Sequence, residues 1–347
     1  MNNRQYLLRS RPKLVAGPEN FELSILPTQP IKNGEARVSV EMAALSAWQG
    51  MRAKDFKNFI RPFDIGELID CDVFGRVIES KCADLPVGVS VVGRLGWQDY
   101  PVITPDKVTI VTDEFTAEEW LTALSSPGQT PYLALSQLAR PMPGETLVVA
   151  SAAGAIGIYA VQLGLLSGMK VIGIAGGSKK TKFVTQVLGA NACIDYKSQS
   201  FTDDLRDACT DGIDIYFDLV GGKIADAAFE NLAKHARVLL VGRVAANNST
   251  DPEWDPANMR HVWSREATIH AFSRYSYKNL YPEVNKKIGK FLKENILKMH
   301  NTVFDGLEHT PVALHEMLEG KHVGKILIRY CDASGKRLLN SLKKDLL

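Results

Sequence analysis

The apolar residues Leu147-Val148-Val149-Ala150 run straight into Ser151-Ala152-Ala153-Gly154-Ala155-Ile156-Gly157, and a segment of helical character continues to Ser167. Few patterns leave a chain less choice. A buried strand, a tight glycine-containing turn and a helix packed back on the strand make the first half of a βαβ unit. The spacing reads as a dinucleotide fingerprint with Ala152 at the first glycine position. Gly154 would let the backbone approach a pyrophosphate, and Gly157 would let the helix lie close on the strand. The phosphates would sit at the helix start, where free N–H groups and the dipole favour negative charge. A plain tight turn is the simpler alternative; the strand before and the helix after favour the phosphate site.

The neighbouring sequence repeats this logic. Further strands are predicted at Lys170 to Ala175, Ala192 to Asp195, Ile213 to Leu219, Arg237 to Gly242 and Thr268 to Phe272. Helices are predicted between and after them, among them Lys179 to Leu188 and Pro282 to Leu297. Six strands alternating with helices suit a doubly wound parallel sheet of two mononucleotide-binding halves. Upstream, short strands such as Glu35 to Val40 and Val73 to Ile78, broken by turns near Asn33-Gly34 and Pro86-Val87-Gly88, point to a mostly β domain. The tail, with a helix over Thr310 to Leu318 and a strand over Lys325 to Arg329, is expected to return to that first domain. The expectation is therefore an α/β chain: residues 125–300 form the parallel sheet, inserted into a β domain of residues 1–124 plus 301–347. A length of 347 residues accommodates two such cores.

Composition narrows the partners. With 41 basic and 39 acidic residues spread along the chain, no charge block suggests nucleic acid or a membrane surface. A small-molecule partner is expected. No stretch approaches the roughly 18 apolar residues of a membrane span, and Met1 to Leu14 lacks the apolar run of a signal peptide, so a cytoplasmic location is expected.

The second strand end discriminates between cofactors. An NAD site normally places Asp or Glu roughly 20 residues beyond the glycines, on the ribose 2′-hydroxyl. Here Ile174-Ala175-Gly176-Gly177-Ser178-Lys179-Lys180-Thr181-Lys182 contains no acid. Three lysines at a helix start oppose the dipole unless an anion compensates, and a 2′-phosphate would be that anion. A solvated basic helix end is the alternative; NADP(H) is the reading preferred.

At this point the chain resembles the zinc-independent branch of the medium-chain dehydrogenase/reductase superfamily, and within it the NADPH-dependent alkenal/one, prostaglandin and curcumin reductases. The markers span nearly the whole chain: Asn3-Arg4-Gln5-Tyr6, Pro18-Glu19-Asn20-Phe21, Gly96-Trp97-Gln98-Asp99-Tyr100, Pro127 to Tyr132, Ala175-Gly176-Gly177, Asp214 to Asp218 with Val220-Gly221-Gly222, Asp305-Gly306-Leu307-Glu308, and Leu318-Glu319-Gly320-Lys321 with Gly324-Lys325. The resemblance implies a GroES-like fold for the β domain and a homodimer formed through the cofactor domains. It implies a pyrophosphate site at Ala153, Gly154, Ala155 and Ile156, and 2′-phosphate contacts from Lys180, Ser178 and Tyr196. Val241, Gly242 and Arg243 would lie beside the nicotinamide half, with Phe272, Ser273 and Arg274 lining the same cleft and Thr130 beneath the ring. His322 stands where the family has an amide that touches cofactor phosphate, and it retains a hydrogen-bond donor.

The substrate side departs from the pattern. Along Leu45-Ser46-Ala47-Trp48-Gln49-Gly50-Met51-Arg52, Gly50 replaces a family tyrosine, and Asn247 replaces a second one. The proton donor is therefore open: the cofactor's ribose hydroxyl, Asn247, water, or Tyr275 and Tyr277 as substitutes. Trp48, Gly50 and Arg52 are the candidate pocket residues, Trp48 either stacking on a flat substrate or serving the core. Zinc is not expected, because residues 1–124 carry Cys71 and Cys82 but no histidine. Three activities stay in view: reduction of the double bond of an α,β-unsaturated aldehyde or ketone, reduction of a quinone, and cofactor sensing without turnover.

Overall fold

The computed structural model describes residues 1–55, 60–244 and 258–330. The chain divides into two compact units, Met1–Thr122 with Asn301–Leu347, and Ala123–His300.

In the second unit the six strands pair all-parallel. Their order is Ala192–Asp195, Lys170–Ala175, Thr146–Ala150, Ile213–Asp218, Leu232–Leu240, Thr268–Ala271. That is the 3-2-1-4-5-6 order of a doubly wound dinucleotide-binding sheet, and its direction reverses between Thr146–Ala150 and Ile213–Asp218. Helices cover both faces of such a sheet, which is why every residue of Thr146–Ala150 is buried and its last four residues are all apolar. Val148, Ile172, Tyr216 and Val238 share one core with Ala225 and Phe229 of the helix Gly222–Glu230.

In the first unit a seven-stranded sheet runs Asn301–Asp305, Lys325–Arg329, Ala36–Ala44, Asp72–Ser80, Ser90–Arg94, Val108–Val111, with Val102–Ile103 also on Ala36–Ala44. Lys325–Arg329 pairs antiparallel with Ala36–Ala44, so the chain re-enters the first unit after completing the parallel sheet. A separate antiparallel pair, Asn2–Leu8 with Phe21–Pro27, shares a core with Trp97 and with Leu314 of the helix Thr310–Leu318. No helix among the described residues is long and apolar enough to cross a membrane.

The helix predicted over Pro282 to Leu297 runs over Tyr281–Lys293 instead, and two further elements differ from the sequence-based expectation. The fifth strand starts at Leu232, not Arg237. Its register shifts between Ile213 and Ile215 on the neighbouring strand, and His235 adopts φ +62° there. The exposed Lys234 and His235 interrupt the apolar pattern that marks a central strand. The segment predicted as one helix from Lys179 is an α-turn, Ser178–Lys182, continued by a π-helical Phe183–Val187. A one-residue widening of this kind leaves no trace in helical periodicity.

Candidate cofactor and active site

The glycine turn sits at the carboxyl end of Thr146–Ala150, beside the point where the strand order reverses. Ser151 takes φ +54°, Gly154 N–H donates to Ser151 O at 2.9 Å, and Ala152 N–H donates to Ile174 O at 3.0 Å. A Cβ on Gly157 would stand 2.1 Å from Ser151 O, so close packing of the helix Gly157–Leu166 requires glycine there. At the first fingerprint position Ala152 is tolerated because its methyl faces a strand glycine: a Cβ on Gly173 would meet it at 2.8 Å. Ala153, Gly154 and Ala155 thus give the turn small side chains as it reaches Ile156 and the helix start, which fits the phosphate cradle expected there.

The next two strand ends meet over a second glycine pair. A Cβ on Gly176 would lie 2.7 Å from the Tyr196 ring, so that ring rests on bare backbone. Gly177 adopts φ +84° with open space around it. Asp195 fixes this loop by accepting from Gly177 N–H and Lys197 N–H, both at 2.9 Å. Those two donors hold its carboxyl below the usual range. Lys180 is half-buried; burial first, and the like charge of Lys197 second, lower its pKa. Two ammonium groups that disfavour each other, beside the hydroxyl of Ser178 and the ring of Tyr196, suit a dianionic phosphate. Lys197 and Asp195 are residues that sequence reasoning missed. Their signal was the end of the third strand, Asp195-Tyr196-Lys197, adjacent in this topology to the end of the second.

Across the switch point, Asp218 ties together the ends of the fourth and fifth strands. Its Oδ1 accepts from Val220 N–H at 2.9 Å, Gly221 N–H at 2.8 Å and the Tyr216 hydroxyl at 3.2 Å. Its carbonyl accepts from Val241 N–H at 2.9 Å and Gly242 N–H at 3.1 Å. Burial raises the Asp218 pKa against the pull of those donors. Val241, Gly242 and Arg243 are thereby tied to the Asp218 turn, and the Arg243 side chain runs 3.7 Å from where a Gly221 Cβ would stand. Phe272 N–H donates to Leu240 O at 3.0 Å, extending the sixth strand end along the same sheet edge. Beyond it Arg274 donates to Gln129 Oε1 at 2.8 Å, and Gln129 in turn donates to Asn285 Oδ1 at 2.8 Å. Thr130 is buried in the helix Ser126–Leu133 that Gln129 anchors.

The candidate acids are disposed differently. Tyr277 stacks on Phe272 with ring centroids 5.7 Å apart. Tyr275 is exposed, its ring facing the Arg274 guanidinium at 5.0 Å. Asn247 lies outside the described residues.

The remaining candidates belong to the first unit. Gly50 does not border open space: a Cβ there would stand 2.6 Å from Leu318 Cδ1, so Leu318 fills the direction a side chain would take. Arg52 is committed to structure. It donates to Arg61 O at 2.8 Å and Asp70 Oδ2 at 3.2 Å, and its guanidinium lies 3.8 Å over Phe63. Trp48 is half-buried, with the Arg94 guanidinium 4.7 Å from its ring. His322 Nε2 lies 2.7 Å from Glu316 Oε2, and its ring meets Phe304 edge-on. No group of three or more His, Cys, Asp or Glu suited to a metal occurs among the described residues.

Comparison with known proteins gives this geometry its context. Residues 155–290 match a family model described as zinc-binding dehydrogenase, and residues 4–111 one described as the N-terminal domain of oxidoreductase. The chain is 34% identical over 333 residues to the NADPH-dependent curcumin reductase of Escherichia coli (strain K12), covering 94% of this chain and 96% of that one. It is 28% identical over 326 residues to prostaglandin reductase 1 of Bos taurus, covering 91% and 96%. The crystal structure of CurA from Vibrio vulnificus superposes with a TM-score of 0.90 at 32% identity, covering 95% of this chain and 99% of that one. The same protein in complex with NADPH superposes at 0.89.

Proposed function

Because the chain belongs to the zinc-independent branch of the medium-chain dehydrogenase/reductase superfamily, we propose that it is an NADPH-dependent reductase of the carbon–carbon double bond of α,β-unsaturated aldehydes and ketones. The observation that carries this reading is the acid-free second strand end, where Lys180 and Lys197 stand together beside Gly176-Gly177 and Tyr196. When bound, the cofactor would supply the hydride. The chain's own residues bind and orient. The Ala153–Gly157 turn takes the pyrophosphate, Ser178, Lys180 and Tyr196 the 2′-phosphate, and Val241–Arg243 with Phe272–Arg274 the nicotinamide half. In this reading the parallel-sheet unit holds the cofactor, the β unit supplies the substrate side, and the protein acts as a cytoplasmic homodimer.

A quinone acceptor is the second reading. It is favoured by Gly50, whose place is backed by Leu318 and offers no acid group. NADPH absorbance followed with enals, enones and quinones in parallel separates the two. Turnover of enals or enones is expected. Turnover of quinones alone would replace the first reading by the second, and NADPH binding without turnover of any acceptor would leave a sensor.

A further inference from the structure

An acid does stand at the carboxyl end of the parallel sheet, one strand further out than an NAD site would place it. Asp195 closes the third strand, Ala192–Asp195, and is in parallel register with Ala175 at the end of the second. A carboxylate in this region is what accepts from a ribose 2′-hydroxyl when NAD is selected. The geometry of Asp195 points elsewhere. Its Oδ1 accepts from Gly177 N–H and from Lys197 N–H, each at 2.9 Å. Those donors belong to two loops, one after the second strand and one after the third. Asp195 clips the two together.

The clip fixes what each loop presents. Gly177, at φ +84°, turns the chain after the second strand into Ser178–Lys182. Its N–H is taken by Asp195, and its carbonyl accepts from Lys180 N–H at 3.0 Å and Thr181 N–H at 3.2 Å. With that backbone engaged, positive charge for an anion has to come from side chains. On the other loop, Tyr196 N–H donates to Ala175 O at 3.2 Å, and its ring lies against the backbone of Gly176. Lys197 Nζ stands 6.0 Å from the centroid of that ring. Lys197 is exposed, yet close enough to Lys180 to disfavour its charge. Two like charges held near each other are relieved by an anion that meets both.

We propose that Lys197 is a second cationic contact for the 2′-phosphate, and so a specificity-determining residue for the phosphorylated cofactor, and that Asp195 is the positioning residue that sets it there. The proposal rests on the 2′-phosphate site assigned above to Ser178, Lys180 and Tyr196, and extends it to the end of the third strand. Lys180 and Lys197 would meet the phosphate from neighbouring loops. A phosphate monoester carries nearly two negative charges at neutral pH, more than one ammonium offsets. Asp195 acts through Gly177 and Lys197 and has no contact of its own with the cofactor.

The test is calorimetric titration of the full-length protein with NADPH and with NADH, for wild type, Lys197→Ala, Lys197→Arg, Asp195→Asn and Asp195→Ala. Lys197→Ala should weaken NADPH about 10-fold, the scale of a hydrogen bond to a charged group, and leave NADH unchanged. Lys197→Arg keeps the cation and should restore most of that loss. Asp195→Asn keeps a carbonyl oxygen for both N–H donors and should bind NADPH as wild type does. Asp195→Ala keeps none and should lose as much NADPH affinity as Lys197→Ala. Tighter NADPH binding in both Asp195 variants would make the carboxylate a repulsive neighbour of the phosphate. A greater loss of NADH than of NADPH would make it a ribose contact. Either result overturns the positioning role, and so does an equal loss of both nucleotides, the mark of a merely structural residue.

The ³¹P resonance of the 2′-phosphate in bound NADP⁺ gives a readout other than affinity. Two ammonium groups should keep it dianionic to lower pH than its ordinary second pKa of about 6, and its titration should move upward in Lys197→Ala. The same titration in wild type and Lys197→Ala would overturn the contact. A wild type that binds NADPH no better than NADH removes the 2′-phosphate site itself, and this proposal with it. A wild type that prefers NADPH, with the preference intact in Lys197→Ala, overturns the role of Lys197 alone.

Discussion

A lysine held half-buried next to another lysine marks a place where something negative belongs. Removing the Lys180 ammonium should weaken NADPH about 10- to 100-fold, the worth of a charged hydrogen bond of roughly 1.5–3 kcal/mol, and leave NADH nearly unchanged. Calorimetric titration of Lys180→Ala with both nucleotides checks this, and equal losses would remove Lys180 from the 2′-phosphate. Gly50 is a second residue whose surroundings decide its meaning. Restoring a tyrosine there forces a ring into the space of Leu318, where even a Cβ comes within 2.6 Å. Gly50→Tyr should cost about 1–3 kcal/mol of stability, and Leu318→Ala added to it should recover part of that loss. Thermal melts of the single and double variants decide it; a Gly50→Tyr protein as stable as wild type would show that Leu318 moves aside freely.

The element that was most legible in the sequence is the glycine turn, and its neighbours show why legibility fades. Thr146–Ala150, Lys170–Ala175 and Ala192–Asp195 have the bounds that their apolar runs and flanking turns dictate. The start of Leu232–Leu240 was hidden because exposed Lys234 and His235 break the pattern inside a strand. The partner of Ala152 was equally hidden. That an alanine fits the first fingerprint position depends on Gly173 across the sheet, a relation between elements that no local pattern carries. Gly173→Ala should therefore destabilise by about 1–3 kcal/mol, with Ala152→Gly relieving part of it, as denaturant titration would show. Lys325 was read as the first residue of a strand and as part of a family marker. Its burial comes from a strand pairing that spans most of the chain, so that burial was invisible from its neighbours in sequence.

At the scale of the whole molecule, stability should respond to both pH and ligand. His300 stacks edge-on against Phe183 at 4.8 Å, its Nε2 buried with no partner among the described residues. Burial first, then Lys298, lowers its pKa below the ordinary 6.5. The unfolded chain therefore takes up a proton that the folded one resists, and stability is lost as pH falls below about 6.5. His300→Phe should gain on wild type between pH 7 and pH 5 in urea titrations; a constant difference would mean the ring's charge state is immaterial. NADPH at 100 times its Kd should add about 2.7 kcal/mol to the unfolding of the unit that binds it. The route of the chain has a further consequence, for the order of events at the ribosome. The strand Lys325–Arg329 pairs with Ala36–Ala44, about 280 residues earlier. At roughly 5–20 residues per second, the earlier strand waits about 15 to 60 s for that neighbour. The inserted unit can finish folding during the wait, while the host's sheet stands open along an unpaired edge. A newborn chain should thus be most exposed to chaperones and proteases in the half that is made first.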